Sequence, residues 1–153
     1  RHALTLAERA AQAGRLAGRG PVRLGSPGVG VGAVVVSSSG ELLGEGWNQR
    51  ERDGDPSAHA EVVAIRAAAA RLGSWRLAGC TLVVTMEPCP MCAGAAMLAR
   101  VERVVLGAWD PKLGVGVLRD RSATHRAEVV GGVLEQECGD VVRRFFDGHR
   151  PPR

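Results

Sequence analysis

Any fold for this chain has to bring two helix starts together. One is Ala58-His59-Ala60-Glu61, the other Pro88-Cys89-Pro90-Met91-Cys92. Cysteines three apart lie on one face of a helix, so Cys89 and Cys92 can reach a single ion. Pro90, between them, suits the first helical position, where its missing N–H costs nothing. Both thiols then stand in a first turn, where the helix dipole favours thiolate. His59 adds one imidazole. Thiolate and imidazole select zinc, whereas harder ions prefer carboxylates. A closed structural zinc site uses four protein ligands. Three leave a position for water, whose ionisation zinc brings near neutral pH. Glu61, two residues beyond His59, is about 200° around a helix from it, so the two cannot share the centre of one face. At a helix start both can border one pocket, with Glu61 as a non-ligating acid/base. Taken alone, His-x-Glu is common, and Cys-x-x-Cys also serves redox chemistry or half of a four-cysteine ribbon. No second such pair exists. Cys80 and Cys138 are isolated and read as small apolar residues.

The rest of the pattern is that of one α/β domain spanning residues 1–153, long enough for a real core. Leu4, Leu6, Ala7, Ala10, Ala11 and Ala13 mark an amphipathic first helix ending near Gly14. The stretch from Gly14 to Gly30 is rich in Gly, Arg and Pro and reads as a mobile loop. The run 31–36 is a β-branched strand, Ser37 to Gly40 a turn, and 41–47 the second strand of a hairpin. Ser57 is the expected N-cap of a helix over 58–72. Strands follow over 81–85, 101–106 and 127–130, with helices over 90–100 and 134–146. No apolar run is long enough to span a bilayer, and no signal peptide is visible. Four cysteines, two of them in metal-like spacing, point to a reducing cytoplasm. The net charge of +4 is carried almost wholly by Arg, Lys112 being the lone Lys. Arg suits phosphates and stacked bases, although a GC-rich genome produces the same bias.

With those residues in view, the chain resembles the cytidine deaminase-like superfamily, and within it the bacterial tRNA adenosine deaminases. Besides the zinc motif, the resemblance runs through Gly44-Glu45-Gly46-Trp47-Asn48, Asp55-Pro56-Ser57, Met91-Cys92-Ala93-Gly94-Ala95 and Arg103 to Ala108. It extends to Asp110 and Lys112, His125 to Val129, and the tail from Gly132 to Phe146. It implies a three-layer α/β/α fold with a mixed central sheet of about five strands. It implies one Zn2+ per chain held by His59, Cys89 and Cys92. The implied reaction is hydrolysis of the wobble adenosine of a tRNA anticodon loop to inosine, with Glu61 moving the protons. Asn48, Ala58 through its carbonyl, Asp110 and Lys112 are the implied substrate contacts. A homodimer with RNA crossing the subunit boundary is the implied assembly. Trp47 and Trp109 can stack on bases or anchor packing. Arg143, Arg144, Phe145 and Phe146 match the family's basic, aromatic final helix, and His125 reads as structural.

Two stretches depart from the family pattern. The loop from Gly14 to Gly30 is longer and more basic, and the segment from Lys112 to Arg119 is shorter. Thr124 also stands where an Asn is expected. A shortened rim would suit a smaller substrate, so a deaminase of cytosine, guanine or a nucleoside is the first alternative. A non-catalytic zinc-stabilised RNA-binding subunit is the second, and a carboxylate beside an open zinc position argues against it.

Overall fold

The computed structural model describes residues 1–3, 5, 29–110, 115–120 and 122–147. Most of the expected first helix, most of the Gly- and Arg-rich loop and Lys112 lie outside the described residues. In chain order the described elements are β1 (Gly32–Val36), β2 (Leu42–Trp47), α1 (Arg50–Asp53), α2 (Ala60–Leu72), β3 (Thr81–Met86), α3 (Pro90–Leu98), β4 (Arg103–Ala108), α4 (Gly116–Arg119), β5 (Glu128–Val130) and α5 (Glu135–Asp147).

The strands form one mixed sheet in the order β2-β1-β3-β4-β5. β1 runs antiparallel to both β2 and β3, while β3, β4 and β5 are parallel. The β1–β2 hairpin closes as its composition requires. Gly40 takes a φ of 84°, and the Glu41 N–H donates to Ser37 Oγ at 3.1 Å. The Val-rich β1 is buried on both sides, as a central strand should be. Ala33 and Val35 join the main core with Leu82, Val84, Val104 and Leu106. Val34 points the other way, against Ala3. Helices α2 and α3 supply Ala60, Ala64, Ala68, Ala93 and Ala96 to the main core. On the opposite face α5 lies over β3 and β4, with Cys138 beside Val83 and Val105. Helices on both faces of a five-stranded sheet make the expected α/β/α layering.

One packing detail sets the position of the site. A Cβ on Gly44 would collide with the backbone of Ala64 and Ala68, and one on Gly46 with that of Ala60 and Ala64. Glycines alternating along β2 thus meet alanines four apart along α2, and the helix backbone lies almost directly on the strand. This close contact fixes where α2 begins, and with it the residues of its first turn.

The boundaries differ from the sequence reading in instructive places. Ser57 does not cap α2. Its N–H and hydroxyl both donate to Asp55 Oδ1, at 2.8 and 2.7 Å, so the local Asx turn captures it and the helix starts later. His59 occupies the N-cap instead. The helix opened by Pro90 ends at Leu98, because Arg100 adopts a left-handed φ of 62°. The strand expected over 101–106 runs from Arg103 to Ala108. The short helices α1 and α4 carry no periodic signal and were not anticipated.

Candidate metal centre and active-site pocket

Two N-cap positions face each other across the site. His59 caps α2 with φ −71° and ψ 153°, and Cys89 caps α3 with φ −68° and ψ 167°. These places usually hold Ser, Thr, Asp or Asn, whose oxygens bond the free amides of the first turn. Neither His59 nor Cys89 makes a side-chain cap bond. Their side chains turn toward one another instead. Pro90 fills the first helical position of α3, as read from the sequence, and Cys92 follows within the same turn. The amide ends of two helices thus converge on one spot and give it a positive bias.

His59 Nδ1 lies 3.6 Å from Cys89 Sγ and 3.5 Å from Cys92 Sγ, and the three atoms all fall within 4.8 Å of one another. A nitrogen set almost equally between two sulfurs is poorly placed for one directed hydrogen bond. It matches two ligand types sharing an ion: zinc–sulfur and zinc–nitrogen bonds of about 2.3 and 2.0 Å at tetrahedral angles put S and N about 3.5 Å apart. The donor set and its spacing therefore fit zinc. The direction of the His59 shift agrees. Burial, then the Arg50 charge, holds the His59 imidazole below its usual range, in the neutral ligating form. Burial, then Glu61 and Cys89, pushes the Cys92 thiol well up. The helix start pulls the other way, toward thiolate. Burial and a neighbouring carboxylate outweigh it, and a divalent cation is the charge that reverses the balance.

Glu61, only 4% exposed, borders the same cavity as His59 and Cys89. Burial pushes its carboxyl up to about 6, against hydrogen bonds from its own backbone N–H and the Cys92 thiol. A carboxyl in that range can both take and give a proton near neutral pH. The cavity, about 150 Å³, is also lined by Asn48, Arg50, Met86, Glu87 and Asp110. Asn48 leaves β2 into the cavity wall. Its Oδ1 accepts the Arg50 N–H at 3.2 Å, which orients the amide so that its NH2 is the group it can offer a ligand. Asp110 stands at the end of β4. Ala58 is not a wall residue, and its carbonyl accepts the Gln49 N–H at 2.9 Å.

Two charged wall residues were not singled out from the sequence. Arg50 comes from the unanticipated α1, and its buried Nε has no hydrogen-bond partner among the described residues. Glu87, 7% exposed, sits between β3 and Cys89. An acid directly before the Pro-Cys motif, at the end of a buried strand, was the available signal for it. Trp109 rests its ring against Gly131, and the Arg52 guanidinium lies 5.7 Å over the Trp47 ring, so both indoles have packing partners.

Residues 5–108 match the zinc-binding region of the cytidine and deoxycytidylate deaminases. The chain belongs to this family. The deaminase is 50% identical over 123 residues to the tRNA-specific adenosine deaminase of Bacillus subtilis, covering 77% of this chain and 76% of that one. Its fold matches a solved structure from work on A-to-I editing by tRNA:A34 deaminases at the wobble position of transfer RNA. That match has a TM-score of 0.75 and 35% identity, covering 92% of this chain and 98% of the other. Guanine deaminase from Bacillus subtilis matches with a TM-score of 0.62 and 27% identity over 99% of this chain and 93% of its own. No described helix of the deaminase is long and apolar enough to cross a membrane.

Proposed function

We propose that this chain hydrolyses the wobble adenosine of a tRNA anticodon loop to inosine and ammonia. The observation that carries the hydrolytic part is Glu61, a buried carboxyl that lines one cavity with His59 and Cys89, two members of a zinc-spaced His/Cys/Cys set. Identity of 50% to a tRNA-specific adenosine deaminase supports the substrate. His59, Cys89 and Cys92 would hold the ion. Bound there, zinc supplies Lewis acidity that makes water a usable nucleophile at neutral pH.

The remaining steps belong to the chain's own groups. Glu61 takes a proton from the attacking water and delivers it to the ring nitrogen beside the reacting carbon. It then takes the proton of the newly formed hydroxyl and gives it to the amine, so that the C–N bond breaks, ammonia leaves and the carbonyl of inosine remains. Its burial keeps that proton from exchanging freely with solvent. Asn48 donates to the base, with Lys112 as a further contact. Arg50 and Asp110 meet the flanking backbone, the guanidinium toward phosphate. The base has to leave its stack to reach this depth.

A second copy of the chain docks on α3. Met91 and Leu98 are seven residues apart on one helix face and are 41% and 62% exposed, an apolar stripe left open by the single chain. A monomeric mass in light scattering would sink the dimer. Four free cysteines suit the reducing cytoplasm where tRNA is processed.

The test of the substrate is inosine formation in an adenosine-wobble anticodon stem-loop, run beside free guanine, cytosine, cytidine and adenosine. Inosine at the wobble position is the expected result. Turnover of a free base or nucleoside alone would keep the chemistry and overturn the substrate.

A further inference from the structure

Among the described residues four polar or charged side chains are buried: Gln49, Glu61, Thr85 and Glu87. Three have evident work. Glu61 is the proton carrier, Thr85 Oγ1 accepts the Gly32 N–H at 3.1 Å, and Gln49 Oε1 accepts from Arg52 at 2.8 Å. Glu87 is the one the reaction does not use. Its two carboxylate oxygens are both directed at backbone. Oε2 accepts the Asp110 N–H at 2.8 Å, and Oε1 accepts the Val115 N–H at 2.9 Å. Its own N–H donates to Ala108 O at 2.8 Å.

These bonds join three parts of the molecule. Glu87 stands between the end of β3 and Cys89. Asp110 is a wall of the cavity. Val115, itself buried, leads into α4, whose Leu118 is fully buried and which packs against the metal-binding helix α3. A carboxylate so enclosed is tolerated only while both oxygens are satisfied. The chain therefore holds Asp110 and Val115 at fixed positions relative to the Cys89 turn.

We propose that Glu87 is a positioning residue: its carboxylate clamps the Asp110 and Val115 amides and so sets the cavity wall that meets the substrate beside the target base. This rests on the proposed function for its kinetic readout, though not for its structural one. Glutamine in its place keeps the shape but can accept only one of the two amides, and its NH2 faces the other donor to donor.

The experiment pairs steady-state kinetics of zinc-loaded wild type and Glu87→Gln on the adenosine-wobble stem-loop with amide hydrogen exchange on both. In the variant, KM is expected to rise about tenfold or more while kcat and zinc content hold. The Asp110 or Val115 amide should lose protection while the β1 and β3 amides keep theirs. A fall in kcat with KM unchanged, or unchanged protection at both amides, would overturn the clamp. The wild type alone also decides: slow exchange at Asp110 and Val115 is required, and rapid exchange there refutes the proposal even if the variant does not fold. Wild-type inactivity on the stem-loop is a different failure, that of the substrate reading, and leaves the exchange result to judge the clamp.

Discussion

The floor and the wall of the cavity are built by different means. The floor is His59, Cys89, Cys92 and Glu61, each on or beside the first turn of a long helix docked on the sheet. The wall near Asp110 and Arg50 comes from a strand end and a four-residue helix, its Asp110 side held by side-chain-to-backbone bonds across long sequence separations. The floor is fixed by regular structure and the identity of four side chains. The wall is fixed by contacts that only the folded chain creates. Reactions of one type over varied substrates need this division, since the chemistry must stay rigid while recognition shifts with a few wall residues.

The comparison breaks first at the floor. Cys89→Ala should lose zinc, stability and turnover together, because metal binding is coupled to folding where ligands are buried. Zinc analysis and thermal unfolding check this, and full zinc stoichiometry in the variant would refute Cys89 as a ligand. A chelator should reproduce the loss in wild type, with recovery on adding zinc.

The next effect sharpens how the floor is supported. Gly46→Val puts a side chain where the backbone of Ala60 and Ala64 runs. Overpacking of this kind costs about 1–3 kcal/mol. Because α2 carries Glu61, a small displacement should also lower kcat by about a hundredfold. If stability falls while kcat holds, the glycine contact is packing alone and does not aim Glu61.

The smallest expected effect tests the wall. Arg50→Ala should raise KM for the stem-loop about tenfold, as loss of one charge-assisted contact does, with kcat and zinc content unchanged. The salt dependence of binding should flatten by about one phosphate's worth. An unchanged salt slope would remove Arg50 from the RNA-facing wall.

The same division explains what could be read from the sequence. The floor was legible because ligand chemistry names its residues: two cysteines around Pro90, one His and one buried acid. The sheet and the long helices were legible because β-branched runs and Pro90 announce them. His59 as N-cap was not, because Ser57 is the better intrinsic cap and only its capture by Asp55 moves the helix start. The glycine–alanine contact between β2 and α2 was also invisible, since it depends on which strand the helix meets. Arg50 sits in a helix too short to show periodicity. Glu87 gains its partners from residues far along the chain, which no local pattern records.

The central claim is that Glu61 carries protons beside a metal it does not bind. Zinc content and inosine formation, measured together on Glu61→Gln, test it most directly. The account predicts one zinc per chain, wild-type thermal stability and turnover lower by about a hundredfold to ten-thousandfold. Turnover near wild type would contradict the proton-carrying role, and loss of zinc with Glu61 would contradict its place outside the ligand set.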